Sequence, residues 1–259
     1  MVNICAIAKN EGLHIKEWIV FHQIVGVDHF VIYDNGSTDN TAEILSKFSC
    51  VEVIPWDQLK PVQLQAYRHY IEHHREPVWT AFLDCDEFLF SPLYETVPEA
   101  LAMAVFNGVP QSAIGVSWVM FGAGGHETYS PEPVIERFTQ HLAVSNPVNR
   151  HIKSVIWMDQ EVKTGSDPHF FNVEHGTWNE NGEHVDGPFS PHTSDTLRIN
   201  HYHTKSCEEW NRRIALGKPD RADDDQVADA NAFYGYQAQD AESTDIQRFL
   251  PELKRRLGL

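Results

Sequence analysis

The sequence predicts an α/β fold built on a mostly parallel sheet, and three observations lead there. Short apolar segments at residues 1–8, 29–33, 51–55 and 79–84 alternate with stretches whose apolar residues recur at helical spacing. Turn-forming runs such as Asp34-Asn35-Gly36-Ser37 punctuate them. Strands that take turns with helices pair in parallel, because parallel neighbours need a long crossover connection.

Each element has its own signal. Residues 1–8 form an apolar strand. From Glu11 onward Ile15, Trp18, Ile19, His22 and Val25 share one helical face. Residues 29–33 form a second buried strand. Asn40, with Glu43 three residues later, marks a helix start for residues 41–48. A third strand covers 51–55, and a helix over 62–75 stops at Pro77. The segment 79–84 is the fourth strand. Further on, 113–121, 153–158 and 197–202 read as strands, and the chain is helical from Glu208 with a loop at 219–225. Residues 165–194 are rich in Gly, Asn, Pro and His without apolar periodicity, as expected of a lid or binding loop. Neither an internal repeat nor a low-complexity linker divides the 259 residues, so one continuous domain is expected.

The fourth strand ends in Asp84-Cys85-Asp86-Glu87-Phe88, the most chemically suggestive run in the chain. If strand geometry continues, Asp84 and Asp86 share a face and Cys85 points away. Two carboxylates at a sheet edge suit Mg²⁺ or Mn²⁺, which keeps coordination positions open for phosphate oxygens. Ligands in such sheets bind beyond the carboxyl ends of the strands, where Asp34, Asp39 and Asp84 all fall.

Composition narrows the classes. With 42% hydrophobic and 22% charged residues the chain is ordinary globular material. Its 37 acidic against 20 basic residues, a net −17, argue against a nucleic-acid partner. An acidic protein handling an anionic substrate needs local positive charge, which a divalent cation supplies. The sequence shows no secretory leader and no integral membrane span, and a cytoplasmic protein is expected. Of four cysteines, Cys5, Cys50 and Cys85 lie in or beside apolar segments and are expected as buried free thiols, with no disulfide framework. The basic tail 250–257 fits either a helix cap or a peripheral membrane contact.

In order along the chain come Ala8-Lys9-Asn10-Glu11, Glu17-Trp18, His22, Gly26-Val27, Tyr33-Asp34-Asn35-Gly36-Ser37-Thr38-Asp39, Asp84-Cys85-Asp86-Glu87-Phe88 and Asn200-His201-Tyr202-His203-Thr204-Lys205-Ser206. This set resembles glycosyltransferase families 2 and 92, most of all family 92, from residue 4 to about 217. The resemblance implies a GT-A fold, a UDP-sugar donor, a glycan or glycoconjugate acceptor, and inverting transfer of a hexose, with galactose the expected sugar. It divides the chain into a nucleotide-sugar half (1–100), an acceptor half (101–217) and a helical tail (218–259).

The resemblance also implies roles. Ala8, Asn10 and Glu11 frame the nucleotide edge with Asp34 and Asn35, where Asp34 meets the uridine or its ribose. The alternative is that Asp34, Asn35 and Asp39 simply build a turn and a helix cap. Asp84 and Asp86 bind Mn²⁺ or Mg²⁺ across the donor diphosphate, with Glu87 either orienting a ligand or merely adjacent. His201 and His203 alternate with Tyr202 on a strand, and the family pattern favours His201 as a further ligand. Lys205 is either a diphosphate partner or an ordinary surface lysine. For the base that deprotonates the acceptor, Glu127 comes first, after Gly124-Gly125-His126, with Glu136 and Asp186 as rivals. Among the aromatics, Trp178 is expected against a sugar and the strand tryptophans in the core. His169, His175, His184 and His192 of the long loop are placed to meet an acceptor. The competing class is a sugar-phosphate nucleotidyltransferase, which would want a glycine-rich basic loop that residues 6–12 lack. A non-catalytic carbohydrate-binding protein of the same fold is the other alternative.

Overall fold

The computed structural model describes residues 1–58, 62–216, 233, 235–236 and 240–259. The apolar segments near the N-terminus become β1 (Val2–Ala8), β2 (His29–Asp34), β3 (Val51–Pro55) and β4 (Trp79–Phe82), crossed by α1 (Ile15–Ile24), α2 (Thr41–Leu45) and α3 (Val62–His73). They pair in parallel in the order β3-β2-β1-β4, with Ile4 against Phe30 and Ala81. β1 and β4 are nearly continuous apolar sequence because helices cover both faces of this part of the sheet. On one face α1 buries Trp18, Ile19 and Phe21, and on the other α3 buries Tyr67 and Tyr70 against Phe82. Truncating a ring such as Phe82 to alanine would cost about 3–5 kcal/mol.

After β4 the chain makes a turn and forms β5 (Glu87–Phe90), and then α4 (Val97–Phe106). Thr96 caps α4 by accepting the Glu99 N–H at 3.3 Å. α4 spans residue 100, where the expected nucleotide-sugar half gives way to the expected acceptor half. The same sheet continues through β6 (Ala113–Met120) and, after the short α5 (Val134–Arg137) and β7 (Gln140–His141), β8 (Ile152–Trp157). β8 lies antiparallel between β4 and β6. The segment expected as one long loop is pinned by pairs of residues: β9 (Val162–Thr164) with β10 (Phe171–Val173), and β11 (Thr177–Trp178) with β12 (His184–Val185). Its pairings are too short to leave a periodic signal in sequence. β13 (Arg198–His201) joins β6 in parallel and β5 in antiparallel fashion. α6 (Cys207–Leu216), β14 (Ala241–Glu242) and α7 (Leu250–Leu257) complete the described chain. The loop expected at 219–225 lies outside the described residues.

Several expectations need correction. α2 ends at Leu45 rather than continuing to 48, and although Asn40 is its N-cap residue as expected, its side chain makes no capping bond; Asp39 instead accepts the Thr41 N–H at 2.9 Å. All four cysteines are free, but Cys50 is half-buried rather than buried. α7 packs Leu253 into the core, Lys254 binds Glu136 at 2.6 Å, and Arg255 and Arg256 both bind Glu252, as a helix cap would. Among the described residues no helix is long and apolar enough to cross a membrane.

Candidate functional site

β1, β2, β4, β6 and β13 all run the same way, so their carboxyl ends meet at one edge of the sheet. A cleft of about 440 Å³ opens there. Of the residues singled out in the sequence, Ala8, Asn10, Glu11, Asn35, Asp84, Asp86, His201 and Lys205 line it. Asp34, Asp39 and Glu127 do not.

The edge of the cleft formed after β1 and β2 is two loops clasped together. The Asn10 side chain accepts the Thr38 N–H at 2.7 Å, and its own N–H donates to Ser37 at 3.0 Å. The Asn35 N–H donates to the Ala8 carbonyl at 2.9 Å. Gly12 permits this closeness, since a β-carbon there would lie 1.9 Å from the Asn40 side-chain oxygen. Asp34 accepts the Ser37 N–H at 3.0 Å, and Asp39 holds Gly12 and Thr41, so both carboxylates serve the loops directly. Asn10 (φ 56°) and Lys205 (φ 50°) are the non-glycine residues with left-handed backbone among those described, and both line the cleft. Such conformations persist where surrounding structure imposes them, and they gather at functional sites.

At Lys205 that surrounding structure is a buried network. Glu209 binds Arg137 through two contacts of 2.9 and 3.1 Å, His14 at 2.8 Å, and the Ser206 N–H and hydroxyl at 3.1 and 2.5 Å. Burial works to raise the Glu209 carboxyl, but His14, Arg137 and Ser206 outweigh it and hold it well below the usual carboxylate range. The turn at 204–206 is thereby fastened to α1 and α5.

The acidic run does not behave as a strand. β4 stops at Phe82, and Cys85-Asp86 form a turn closed by the Glu87 N–H on the Asp84 carbonyl at 3.1 Å. The two aspartates therefore diverge instead of sharing one alternating face. Asp84 turns toward β8, where Lys153 reaches it at 3.0 Å and Gln63 donates at 2.6 Å. Lys153 is fully buried and also lies 3.5 Å from Glu87. Burial and the neighbouring Asp84 and Asp86 push the Glu87 carboxyl well up, against the pull of Lys153, while one of its oxygens accepts the Asp84 N–H at 2.8 Å. Burial tends to raise Asp84 as well, yet Lys153 keeps it ionised.

Asp86 turns the other way. One oxygen accepts from Arg213, and the other faces His201 Nε2 at 3.4 Å. Despite its burial, Arg213 and His201 hold its carboxyl well below the ordinary value. Strand alternation does hold at β13: Tyr202 packs against Phe88 and Phe121, while His201 and His203 project toward Asp86. Asp86, His201 and His203 each bring one ligand atom within 4.8 Å of the others. The facing Asp86 oxygen and both ring nitrogens of His201 are buried without a hydrogen-bond partner, as a cation site would leave them. Two imidazoles and a carboxylate fit Mn²⁺ better than Mg²⁺, which prefers an all-oxygen shell. Asp84 is not in this cluster.

On the β6–β8 side the cleft is walled by Trp118 and His169, whose rings meet edge-on at 5.2 Å. His169 Nδ1 binds Asp167 at 2.6 Å. Trp178, expected against a sugar, instead sits in β11, donates to the His175 carbonyl at 3.1 Å and lies outside the cleft. Glu127 is exposed, and its carbonyl accepts the Glu208 N–H at 3.0 Å. Glu136 is bound to Lys254, and Asp186 is exposed.

Sequence reasoning passed over Gln63, Lys153, His14, Glu209 and Arg213. Only Lys153 left a trace, as a lone charge inside an apolar strand.

A sequence profile described as Glycosyltransferase family 92 matches residues 4–214. A glycosyltransferase family 92 protein of Oryza sativa subsp. japonica is 26% identical over 258 residues, covering 95% of this chain and 41% of that protein. One from Ricinus communis is 28% identical over 160 residues, covering 59% and 28%. The chain thus spans less than half the length of these curated relatives. Among solved structures, TarS of S. aureus overlaps 52% of this chain and 25% of its own at 15% identity, with a TM-score of 0.34. Glucosyl-3-phosphoglycerate synthase from Mycobacterium tuberculosis, in complex with Mn²⁺, UDP and phosphoglyceric acid, overlaps 44% and 42% at 18% identity, with a TM-score of 0.32.

Proposed function

Because the chain belongs to glycosyltransferase family 92, we propose that its cleft is the active site of a metal-dependent, inverting glycosyltransferase that uses a UDP-sugar. The observation that carries this reading is the convergence of Asp86, His201 and His203 at the carboxyl edge of the sheet, where the facing Asp86 oxygen and both His201 ring nitrogens are buried without a hydrogen-bond partner. A divalent cation held there supplies Lewis-acid charge to the departing diphosphate. Lys205, two residues beyond His203, adds a positive charge that acts on Asp86 and Glu11. Asn10, Glu11 and Asn35 border the nucleoside, and Asp84, oriented by Lys153 and Gln63, faces the middle of the cleft between nucleoside and sugar. The sugar then lies toward β6 and β8, with Trp118 available to pack on it.

Transfer with inversion is one displacement. The acceptor oxygen bonds to the anomeric carbon, the bond from that carbon to the phosphate oxygen breaks, and the nucleoside diphosphate leaves. The acceptor proton passes to a base on the opposite side of the sugar. We infer His169 for that base ahead of Glu127. Asp167 fixes its Nδ1–H tautomer, and its Nε2 has no hydrogen-bond partner among the described residues. Burial and the Lys153 charge lower its affinity for a proton, which keeps the ring neutral and able to accept one. A hexose such as galactose and a glycan hydroxyl fit the reading.

Titration calorimetry of UDP with and without Mn²⁺ tests it, alongside Mn²⁺-dependent hydrolysis of UDP-, GDP- and CDP-sugars. UDP binding that is indifferent to both Mn²⁺ and EDTA would refute the metal bridge. Consumption of a nucleoside triphosphate with pyrophosphate release would favour a nucleotidyltransferase.

A further inference from the structure

Arg213 takes part in none of the proposed chemical roles above, yet it lines the cleft beside Asp86. It lies one turn from the end of α6 and reaches back so that Nη1 donates both to the outer oxygen of Asp86 and, at 2.9 Å, to the His203 carbonyl. Two of the three residues that converge for a cation are therefore already engaged by a guanidinium. Asp86 has only two oxygens. The inner one faces His201, and Arg213 holds the outer one. A guanidinium is a permanent cation with a planar fork of donors that matches phosphate oxygens as well as it matches a carboxylate. The Arg213 side chain is 43% exposed, so it is not locked in place by packing.

We propose that Arg213 is a diphosphate-binding residue that pairs with the outer oxygen of Asp86, beside the cation cluster, until nucleotide arrives. Cation and guanidinium share one carboxylate and repel each other, so the cation alone binds weakly. A diphosphate gives the guanidinium a second anionic partner, frees Asp86 for the cation, and couples the binding of the two ligands. Coupling of this kind is reciprocal: each ligand raises the affinity of the other by the same factor. This inference rests on the nucleotide-diphosphate reading of the cleft.

The test compares the full chain with Arg213→Ala, and with Arg213→Lys as a charge-retaining control, using folded protein verified by circular dichroism. Direct binding of Mn²⁺ alone, of inorganic pyrophosphate and of UDP is measured, the last two in saturating Mn²⁺. Arg213→Ala should bind Mn²⁺ alone several-fold more tightly. It should bind both UDP and pyrophosphate about tenfold or more weakly, the loss typical of a charge-assisted contact. Arg213→Lys should fall between the two. The two shifts have opposite signs, which a merely structural arginine would not produce. Shifts of the same sign, a shift in only one ligand, or no shift would each overturn the proposal. So would wild-type UDP binding that survives EDTA but is lost in Arg213→Ala, because the guanidinium would then replace the cation rather than yield to it. A wild-type chain that binds no UDP even with Mn²⁺ would instead defeat the underlying reading of the cleft.

Discussion

Replacing Lys153 by methionine should uncouple the acidic turn from the sheet. The lysine is fully buried, with its ammonium 3.0 Å from Asp84 and 3.5 Å from Glu87. At an effective dielectric of about 20, the nearer contact has a gross attraction of roughly 5–6 kcal/mol. Burying the ammonium consumes several kcal/mol of that, so the pair itself contributes little net stability. Removing only the cation is different, because it strands the Asp84 carboxylate. Such losses run to about 3–5 kcal/mol in a dry interior. Here Gln63 still donates at 2.6 Å and the Asp84 side chain is 32% exposed, so about 3 kcal/mol is expected. For a chain of this size that lowers the melting temperature by about 6–12 °C. Urea titrations at pH 7 of Lys153→Met, Asp84→Asn and the double variant form a cycle. The double variant should recover about 2 kcal/mol relative to the sum of the single changes. The pH dependence has a definite sign. The Asp84 carboxyl is depressed in the fold, so its stabilisation is complete above the ordinary value of 3.8 and is lost as pH falls through the folded value. Lys153→Met should flatten that part of the acid limb and weaken UDP binding. A Lys153→Met protein within 1 kcal/mol of wild type, or an additive cycle, would refute the account; the threshold of about 1 kcal/mol is the usual uncertainty of such measurements.

His22 is buried between α1 and β5, with Nδ1 on the Trp18 carbonyl at 2.9 Å and Nε2 accepting the Leu89 N–H at 3.1 Å. Burial lowers its pKa to about 3, so its contribution is whole above 6.5 and lost as pH falls toward 3. The limit is roughly 5 kcal/mol, and His22→Gln should remove that slope from pH-dependent urea unfolding. Truncating a cation ligand by His203→Ala should weaken Mn²⁺ binding by about 10-fold or more while leaving the melting temperature nearly unchanged. Calorimetry decides it, and unaltered Mn²⁺ affinity would exclude His203. Asp167→Asn should lower kcat for UDP-sugar hydrolysis by about 10- to 100-fold with UDP affinity preserved, since it disturbs only the tautomer and aim of His169. Loss of UDP affinity instead would make the dyad part of the nucleotide pocket.

What the sequence made legible depended on how local the signal was. β1 to β4 and α1 were readable because each buries a continuous or periodic apolar set, and the binding rule for parallel sheets then pointed to their carboxyl ends. Asp84 and Asp86 were visible as residues but not as geometry. Alternation assumes a strand, and the chain leaves the strand at Phe82, so one aspartate serves β8 and the other faces β13. That His201 and His203 share a face was readable, because β13 and its continuation keep their alternation; that both converge on Asp86 was not. Arg213 was invisible: on a polar helix flanked by Arg212 and Glu209 it looks like solvent-facing charge, and only the packing of α6 turns it inward. Trp118, expected in the core, lines the cleft, and Trp178, expected at the cleft, does not, for a similar reason. Which strand end borders the cleft is a property of sheet order, and sheet order is not written in either tryptophan's neighbours.

The charge arrangement of the acidic turn argues for a diphosphate more strongly than any single residue does. Four carboxyls surround the turn: Glu11, Asp84, Asp86 and Glu87. Burial pushes the Glu11 and Glu87 carboxyls up, against the pull of Lys205 and Lys153. Asp84 and Asp86 remain ionised because Lys153 and Arg213 pair with them one to one. Lys205 acts on both Glu11 and Asp86 from a strained turn that the Glu209 network holds in place. A protein with a net charge of −17 has thus gathered Lys153, Lys205 and Arg213 at the mouth of its sheet before any metal is added. A divalent cation on Asp86, His201 and His203 would add to that positive charge. A neutral sugar or a nucleoside alone would draw on little of it. A nucleoside diphosphate carries the charge to match, and it places that charge on the leaving group, where it grows as the glycosidic bond breaks.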